Sequence, residues 1–256
     1  MRCEDGFVPV HPRAEVGFGR AAEAYERGRP DYPAEAIAWL RDRLELGPGR
    51  TLIDLAAGTG KLTRLLLPTG ARVVAVEPVA AMRDALARVV PQAEIVDGTA
   101  EAMPVPDGFA DAVTIAQAFH WFSTAEALAE IHRVLRAEGR LALVWNRRDL
   151  HAPVQAALDD MIRRHRGDVP THRSGRWKSV FEATELFGPL EELLVPYRQE
   201  LDRRTLVDRV MSTSIMAALP DADRSQAVAD VEAVAAQQAE PIEIDYTTQV
   251  YVCRRR

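Results

Sequence analysis

Cysteine is nearly missing from this 256-residue sequence: Cys3 and Cys253 are the only two. Two thiols, one near each end, supply neither a tetrahedral zinc site nor a disulfide framework. Lysine is just as scarce. Lys61 and Lys178 are the only two, so arginine carries 30 of the 32 positive charges (32 minus 2), a bias of composition that runs with abundant alanine. There is no cationic excess either, since 38 acids against 32 bases leave a net charge of -6, which excludes a binder that holds nucleic acid by bulk charge. No apolar run approaches the roughly 18 residues of a membrane-crossing helix. The opening MRCEDGFVPVHPRAE has acids and prolines where a signal peptide needs apolar residues. The expectation is a cytoplasmic protein with no membrane or nucleic-acid partner and no metal, a monomer or homodimer. Arg254-Arg255-Arg256 is expected as a solvated tail.

What is present is ordinary globular composition, 47% hydrophobic and 27% charged, in a chain long enough for one large core. Residues 1–13 read as a loose leader and 14–28 as a helix, broken by Arg29-Pro30-Asp31-Tyr32-Pro33; a second helix spans about 34–44. Short apolar runs then alternate with helical segments. Strands are predicted at 51–56, 72–77, 93–98, 111–118 and 140–145, and helices at 61–67, 79–89 and 124–135, the last closed by Gly139. That alternation predicts a parallel sheet with right-handed crossovers. After residue 150 come helices at 152–165, 204–210 and 222–238 and two extended stretches at about 190–200 and 242–252, which suit an antiparallel pair at one sheet edge.

The chemistry is concentrated in a glycine turn. Asp54-Leu55-Ala56-Ala57-Gly58-Thr59-Gly60 joins the first strand to its helix, where backbone can approach a ligand and helix N–H groups are free. Glu77 closes the second strand, 19 residues after Gly58, where an acid accepts hydrogen bonds from both hydroxyls of a ribose. A dinucleotide fingerprint needs a small third residue near position 63; Thr63 stands there between Leu62 and Arg64. S-adenosylmethionine has no pyrophosphate. Its ammonium suits the Asp54 carboxylate and its carboxylate suits an arginine. The third strand runs into Asp97-Gly98-Thr99-Ala100-Glu101, a place to read an adenine edge. The fourth runs into Gln117-Ala118-Phe119-His120-Trp121-Phe122, at the carboxyl end of the sheet where open α/β folds bind ligands.

With these residues in place, the sequence resembles a class I S-adenosylmethionine-dependent methyltransferase. LIDLAAGTGKLTRLL resembles that family's first motif, VVAVEPVAAM its second and DGTAEAMPVPDGFADAV its third, while AQAFHWF and ALAEIHRVLRAEGRLALVW resemble its fourth strand, helix and fifth strand. The likeness covers about residues 14–150, and FGRAAEAYERGRPDYP with AQAFHWF resembles the type 11, trans-aconitate-type subgroup that acts on small molecules.

The resemblance implies a Rossmann-like, doubly wound, seven-stranded, mainly parallel sheet with an antiparallel edge strand and helical cap insertions. The chain is then a single domain, residues 1–256, with a cofactor core at 14–150 and edge strands and cap helices at 151–256. It implies S-adenosyl-L-methionine as cofactor and S-adenosyl-L-homocysteine as product. Ala56, Gly58 and Gly60 line its methionine and ribose, Glu77 holds the ribose and Met82 packs on the adenine. Thr99, Ala100 and Glu101 lie along the adenine edge, Tyr25 and Arg29 close over the methionine end, and Gln117 sits below the sulfonium. Relatives often carry Asp where Thr99 stands. Plainer readings are that Met82 is core and that Arg29 makes a surface ion pair.

The expected reaction is methyl transfer to a small molecule, by O-methylation of a carboxylate or hydroxyl. N- or C-methylation, or cofactor binding without catalysis, is the alternative. An in-line displacement gains mostly from alignment. His120 is the candidate catalytic residue, as a general base, a pocket hydrogen-bond donor or a structural histidine. Tyr32, Trp121, Trp145, Arg147 and Trp177 are candidate acceptor contacts, with Ser212 to Met216 as a possible cover. His132 is expected to pack or face solvent. Base N-methylation lacks its Pro-Pro-aromatic segment after strand four, where AQAF stands.

Overall fold

A computed structural model describes residues 22–167 and 169–256. The leader, Cys3 and the first part of the expected first helix lie outside the described residues; helix α1 is seen over 22–28. It is followed by α2 (Ala34–Arg43), β1 (Thr51–Leu55), α3 (Thr63–Leu66), β2 (Arg72–Val76), α4 (Ala80–Val89), β3 (Glu94–Val96), β4 (Ala110–Ala116), α5 (Ala125–Val134) and β5 (Leu135–Arg148). Then come α6 (Pro153–Arg164), α7 (Ser179–Glu182), β6 (Glu191–Leu201), α8 (Arg203–Met211), α9 (Ser214–Ala217), α10 (Asp221–Ala236) and β7 (Ile242–Arg254).

The seven strands form one sheet in the order β3-β2-β1-β4-β5-β7-β6. The first five run parallel, and β7 enters antiparallel between β5 and β6. This is the expected architecture, including the edge pair, which holds a continuous register from Glu191 opposite Val252 to Leu201 opposite Ile242. Every residue of β1 is buried, because a central parallel strand is covered on both faces. One face packs Ile53, Leu55, Val113, Ile115 and Leu143 against α5; the other packs Leu52, Val73, Ala142 and Val144 against Leu40 and Leu66.

Local chemistry sets several boundaries. The Thr124 hydroxyl caps α5 by accepting from Ala127 N at 3.2 Å, and Asp202 caps α8 by accepting from Thr205 N at 2.7 Å. Some expected boundaries shift. Helix α5 ends at Val134, and Gly139 lies inside the long β5 instead of closing the helix. The strand starts early because Leu135 already pairs with Ala110. The helix expected at 61–67 contracts to Thr63–Leu66 and passes into a 3₁₀ turn at Pro68. The terminal arginines are not a loose tail. Arg254 ends β7, the Arg255 guanidinium donates to Leu135 O at 2.7 Å, and Arg256 N donates to Leu186 O at 2.9 Å. His132 packs edge-on against Phe187.

The segments after β5 build a cap. Helices α6, α8, α9 and α10 share a core of Leu158, Ile162, Leu206, Met216 and Val231 with Ile242, Ile244 and Tyr246 of β7. The cap lies beyond the carboxyl end of β5 and faces the switch between β1 and β4, where the strand order reverses. Among the described residues no helix is long and apolar enough to cross a membrane, and no His, Cys, Asp or Glu group has metal-binding geometry. Cys253 is buried within β7.

Candidate active site

The turn after β1 has left-handed backbone at three positions: Ala56 (φ 55°), Gly58 (φ 59°) and Gly60 (φ 89°). The two glycines serve different ends. A Cβ on Gly60 would stand 2.3 Å from Leu86 Cδ1 and 2.8 Å from Val90 Cγ2, so this glycine seats α4 against the turn. A Cβ on Gly58 would meet nothing within 4 Å, so its backbone faces open space. Gly58 N donates to Glu77 Oε2 and Val79 N to Glu77 Oε1, each at 2.9 Å. Those bonds fix the acid at the end of β2 beside the turn. Burial, opposed by these N–H donors and the nearby Arg83, raises the Glu77 carboxyl to about 7.

Asp54 lies beneath the turn, 1% exposed. Its Oδ2 accepts from the Thr63 hydroxyl at 2.6 Å and its Oδ1 from the Thr114 hydroxyl at 2.8 Å. The side chain therefore ties β1 to α3 and β4, and burial raises it to about 6. Met82 is buried with Val79, Ala85 and Ala22, with Tyr25 of α1 packed against them. Past β3, Thr99 and Ala102 form an isolated antiparallel bridge, Ala100 joins the core, and burial raises the half-buried Glu101.

Beside the turn is a narrow cleft lined by Tyr25, Arg29, Tyr32, Gln117, Asn146 and Arg209. Gln117 leaves β4 with φ 62°, and the Tyr32 hydroxyl bonds to its side chain. Strained backbone at the ends of both β1 and β4 flanks the switch point. Arg29 spans from the end of α1 to the cap, donating to Ser212 O at 3.1 Å and Ser212 Oγ at 3.3 Å, with its guanidinium 4.8 Å from the Tyr25 ring centre. Burial and the nearby Arg209 lower it to about 10. Arg209, 6% exposed, donates from Nε to the Tyr246 hydroxyl at 2.8 Å. Among the described residues neither arginine has a carboxylate within ion-pair distance, although Arg27 pairs with Asp208, Arg148 with Asp159, and Arg64 with Glu26 and Asp31.

An aromatic wall stands on the other side. Trp145 of β5 stacks on His172 at 4.2 Å and lies 4.7 Å from Trp177, which is 2% exposed and packs on Tyr251. The Trp145 indole Nε1–H makes a long 3.5 Å bond to His120 Nδ1. An indole only donates, so Nδ1 is the acceptor and the His120 proton sits on Nε2. Burial, with His172 and Arg29 adding repulsion, lowers His120 to about 3. Trp121 lies tilted against His120, ring centres 5.3 Å apart, and packs against the cap core.

The predicted residues thus fall into two groups. Tyr25, Arg29, Tyr32 and Gln117 meet in the cleft, while His120, Trp121, Trp145 and Trp177 form the wall. Arg147 lies beside the wall, lining a groove with His172, Trp177 and Tyr251. It is exposed and also lines a groove with Arg173, Leu194 and Gln249 on the sheet face opposite the cleft residue Asn146. Arg209, Ser212 and His172 enter the site from the cap. The sequence names Ser212 only as the start of a cover segment, and no turn or motif marks Arg209 or His172.

The methyltransferase-domain profile matches residues 53–143. An uncharacterized methyltransferase of Mycobacterium tuberculosis is 42% identical over 199 residues, covering 78% of this chain and 77% of its own. An uncharacterized methyltransferase-like protein of Schizosaccharomyces pombe is 32% identical over 233 residues, covering 89% and 91%. A solved structure from Anaeromyxobacter dehalogenans, described as a candidate type II methyltransferase, shares the fold with a TM-score of 0.64 at 22% identity, over 88% of this chain and 97% of that one. The motif turn, the strand order and these relatives agree: the chain belongs to the class I S-adenosylmethionine-dependent methyltransferases.

Proposed function

We propose that this protein transfers a methyl group from S-adenosyl-L-methionine to a small molecule by O-methylation of a carboxylate or hydroxyl. The observation that carries the reading is the Gly58–Glu77 unit. An unfilled space stands over the Gly58 Cα, and a buried carboxylate is fixed 2.9 Å from the Gly58 nitrogen. A nucleoside fits that cradle, with its ribose hydroxyls donating to Glu77 and its base against Met82 and the Thr99-Ala100-Glu101 segment. Arg29, with no acid of its own, is placed to hold the methionine carboxylate, and Tyr25 covers that end. Ala56, Gly60 and Asp54 shape the turn, Asp54 by holding β1, α3 and β4 in register.

When bound, S-adenosylmethionine supplies an electrophilic methyl on a sulfonium. The chain's own part is alignment and exclusion of water. Gln117, Tyr32 and the aromatic wall of Trp121, Trp145 and Trp177 enclose the acceptor side. His120, kept neutral by burial and carrying its proton on Nε2, orients the acceptor as a hydrogen-bond donor. A carboxylate acceptor is already a nucleophile and needs no base. The cap closes the carboxyl end of the sheet and suits a small acceptor.

Calorimetry with S-adenosylhomocysteine and with NAD tests the first half: the former binds and NAD does not. Binding of NAD alone refutes the reading. Product-mass screening of carboxylic acids, phenols and amines with labelled cofactor tests the second half, and methylation confined to amines refutes O-transfer.

A further inference from the structure

Two guanidinium groups in the cleft lack counter-charges, and the proposed cofactor supplies only one carboxylate. A charge held out of water is costly unless it is paired. The acids around the cleft are already engaged. Glu26 and Asp31 pair with Arg64 and Lys61, Asp208 with Arg27, and Asp159 with Arg148 and Arg166. Asp54 is closed off by two hydroxyls. Arg29 lies at the α1 end, against Tyr25, which also packs with Met82 beside the Gly58 turn. Arg209 approaches from the cap on α8 and is held by the Tyr246 hydroxyl, which itself donates to Gln199 Oε1 at 3.2 Å. Only Arg209 Nε is used in that contact. Its two terminal nitrogens have no partner among the described residues, while the side chain is more than nine-tenths buried and lines the cleft with Gln117 and Tyr32.

We infer that Arg209 is the specificity-determining residue for the acceptor and that it binds an anionic group, so the small molecule methylated here is a carboxylic acid or another organic anion. That the anion is the methyl acceptor rests on the methyl-transfer reading, but the anion seat is a property of the cleft itself. The two arginines divide the work: Arg29 takes the cofactor carboxylate and Arg209 the acceptor's. Net charge does not draw such an acceptor in, because the protein carries -6 overall. Local pairing with a terminal guanidinium edge does, and it gives geometric selection against neutral isosteres.

The experiment compares wild type, Arg209→Gln, Arg209→Lys and Arg29→Gln. Each is first checked for folding by thermal denaturation and for S-adenosylhomocysteine binding by calorimetry. Wild type is expected to methylate acids among a matched panel of carboxylic acids and their amides. Arg209→Gln is expected to raise KM for those acids by about tenfold to a hundredfold, the range for a lost charge-assisted hydrogen bond, with cofactor affinity changed less than threefold. Arg209→Lys should recover part of the loss, and Arg29→Gln should show the reverse split. Preference for the amides in wild type overturns the inference. So does an unchanged KM in Arg209→Gln, or a loss confined to cofactor binding, which would make Arg209 a second ligand of the cofactor carboxylate. A separate arm uses no cofactor: succinate should raise the melting temperature of wild type and not of Arg209→Gln, with succinamide inert in both. Equal protection of the two proteins overturns the anion seat. Failure of S-adenosylhomocysteine to bind wild type counts against the methyl-transfer reading instead, and the succinate arm then decides on Arg209 alone.

Discussion

The two sides of the site are built in opposite ways. The cofactor side is made of backbone and near neighbours. Its defining contact joins Gly58 to Glu77, 19 residues apart, inside one β1–α3–β2 unit. The side proposed for the acceptor is made of side chains brought together from distant parts of the chain. Asn146 reaches Asp31 across 115 positions, and Arg209 reaches Tyr246 across 37. A cofactor shared by many enzymes is met by a fixed turn. An acceptor particular to one enzyme is met by inserted helices free to vary. The cofactor side therefore carries little information about the substrate, and the acceptor side carries nearly all of it.

The largest effect expected from breaking one side alone is Trp177→Ala. It removes a buried ring from the wall and should cost about 3–5 kcal/mol of stability by denaturant titration. Cofactor affinity of the protein that remains folded should stay within about threefold of wild type, on the scale of a few tenths of a kcal/mol. A large loss of cofactor affinity would show that the two sides are not separable.

The cofactor side is broken by Gly60→Ala and Gly58→Ala, which should differ. The first drives a Cβ into Leu86 and should cost about 2–4 kcal/mol from overpacking with a left-handed backbone. The second meets open space and should cost only about 1–2 kcal/mol from the backbone alone, while weakening the cofactor. Equal losses of stability would remove the distinction between the two glycines. Glu77→Ala should weaken S-adenosylhomocysteine about a hundredfold by calorimetry, the size of two lost hydrogen bonds to a charged group.

A pH series sharpens the same point. Glu77 titrates at about 7 in the cofactor-free protein, so roughly a tenth is ionised at pH 6 and roughly nine-tenths at pH 8. Cofactor affinity should rise about tenfold across that interval and be flat in Glu77→Gln. A flat wild-type profile would remove Glu77 from contact with the ribose.

The smallest effect concerns His120. Burial lowers it to about 3, so the kcat profile should show no limb between pH 6 and 8, and Asn in its place should retain part of the activity as a donor. The stability consequence has a definite sign. A histidine lowered in the folded state takes up its proton mainly on unfolding, so stability falls as pH drops below about 6.5. The raised acids Asp54 and Glu77 act in the other direction, adding stability at low pH that is lost as pH rises through about 6 and 7. His120→Asn should therefore lose less stability than wild type between pH 6.5 and 4 in urea titrations. An unchanged acid slope would show that His120 protonates in the fold.

Apolar runs such as Thr51–Leu55 and Arg72–Val76, the glycine turn and the acid after β2 gave the parallel half of the sheet and its turn directly in sequence, because local periodicity and turn chemistry act over a few residues. The alternating stretch now seen as β7 was also legible as a strand, and its pairing with β6 followed. Finer features were not. Gly139 looked like a helix end, yet tertiary pairing of Leu135 with Ala110 ended the helix five residues earlier.

The sequence by itself determined the sheet's parallel half, the cofactor turn and the family, because hydrophobic periodicity and the motif turns are local. Only the tertiary structure decided which charges go unanswered. Arg209 is one of 30 arginines in composition. It becomes a candidate anion seat because α8 folds back over α1, the neighbouring acids are taken by other cations, and the buried side chain lines the cleft with its Nε bonded to Tyr246. Burial and pairing are properties of neighbours distant in sequence, and no local pattern records them.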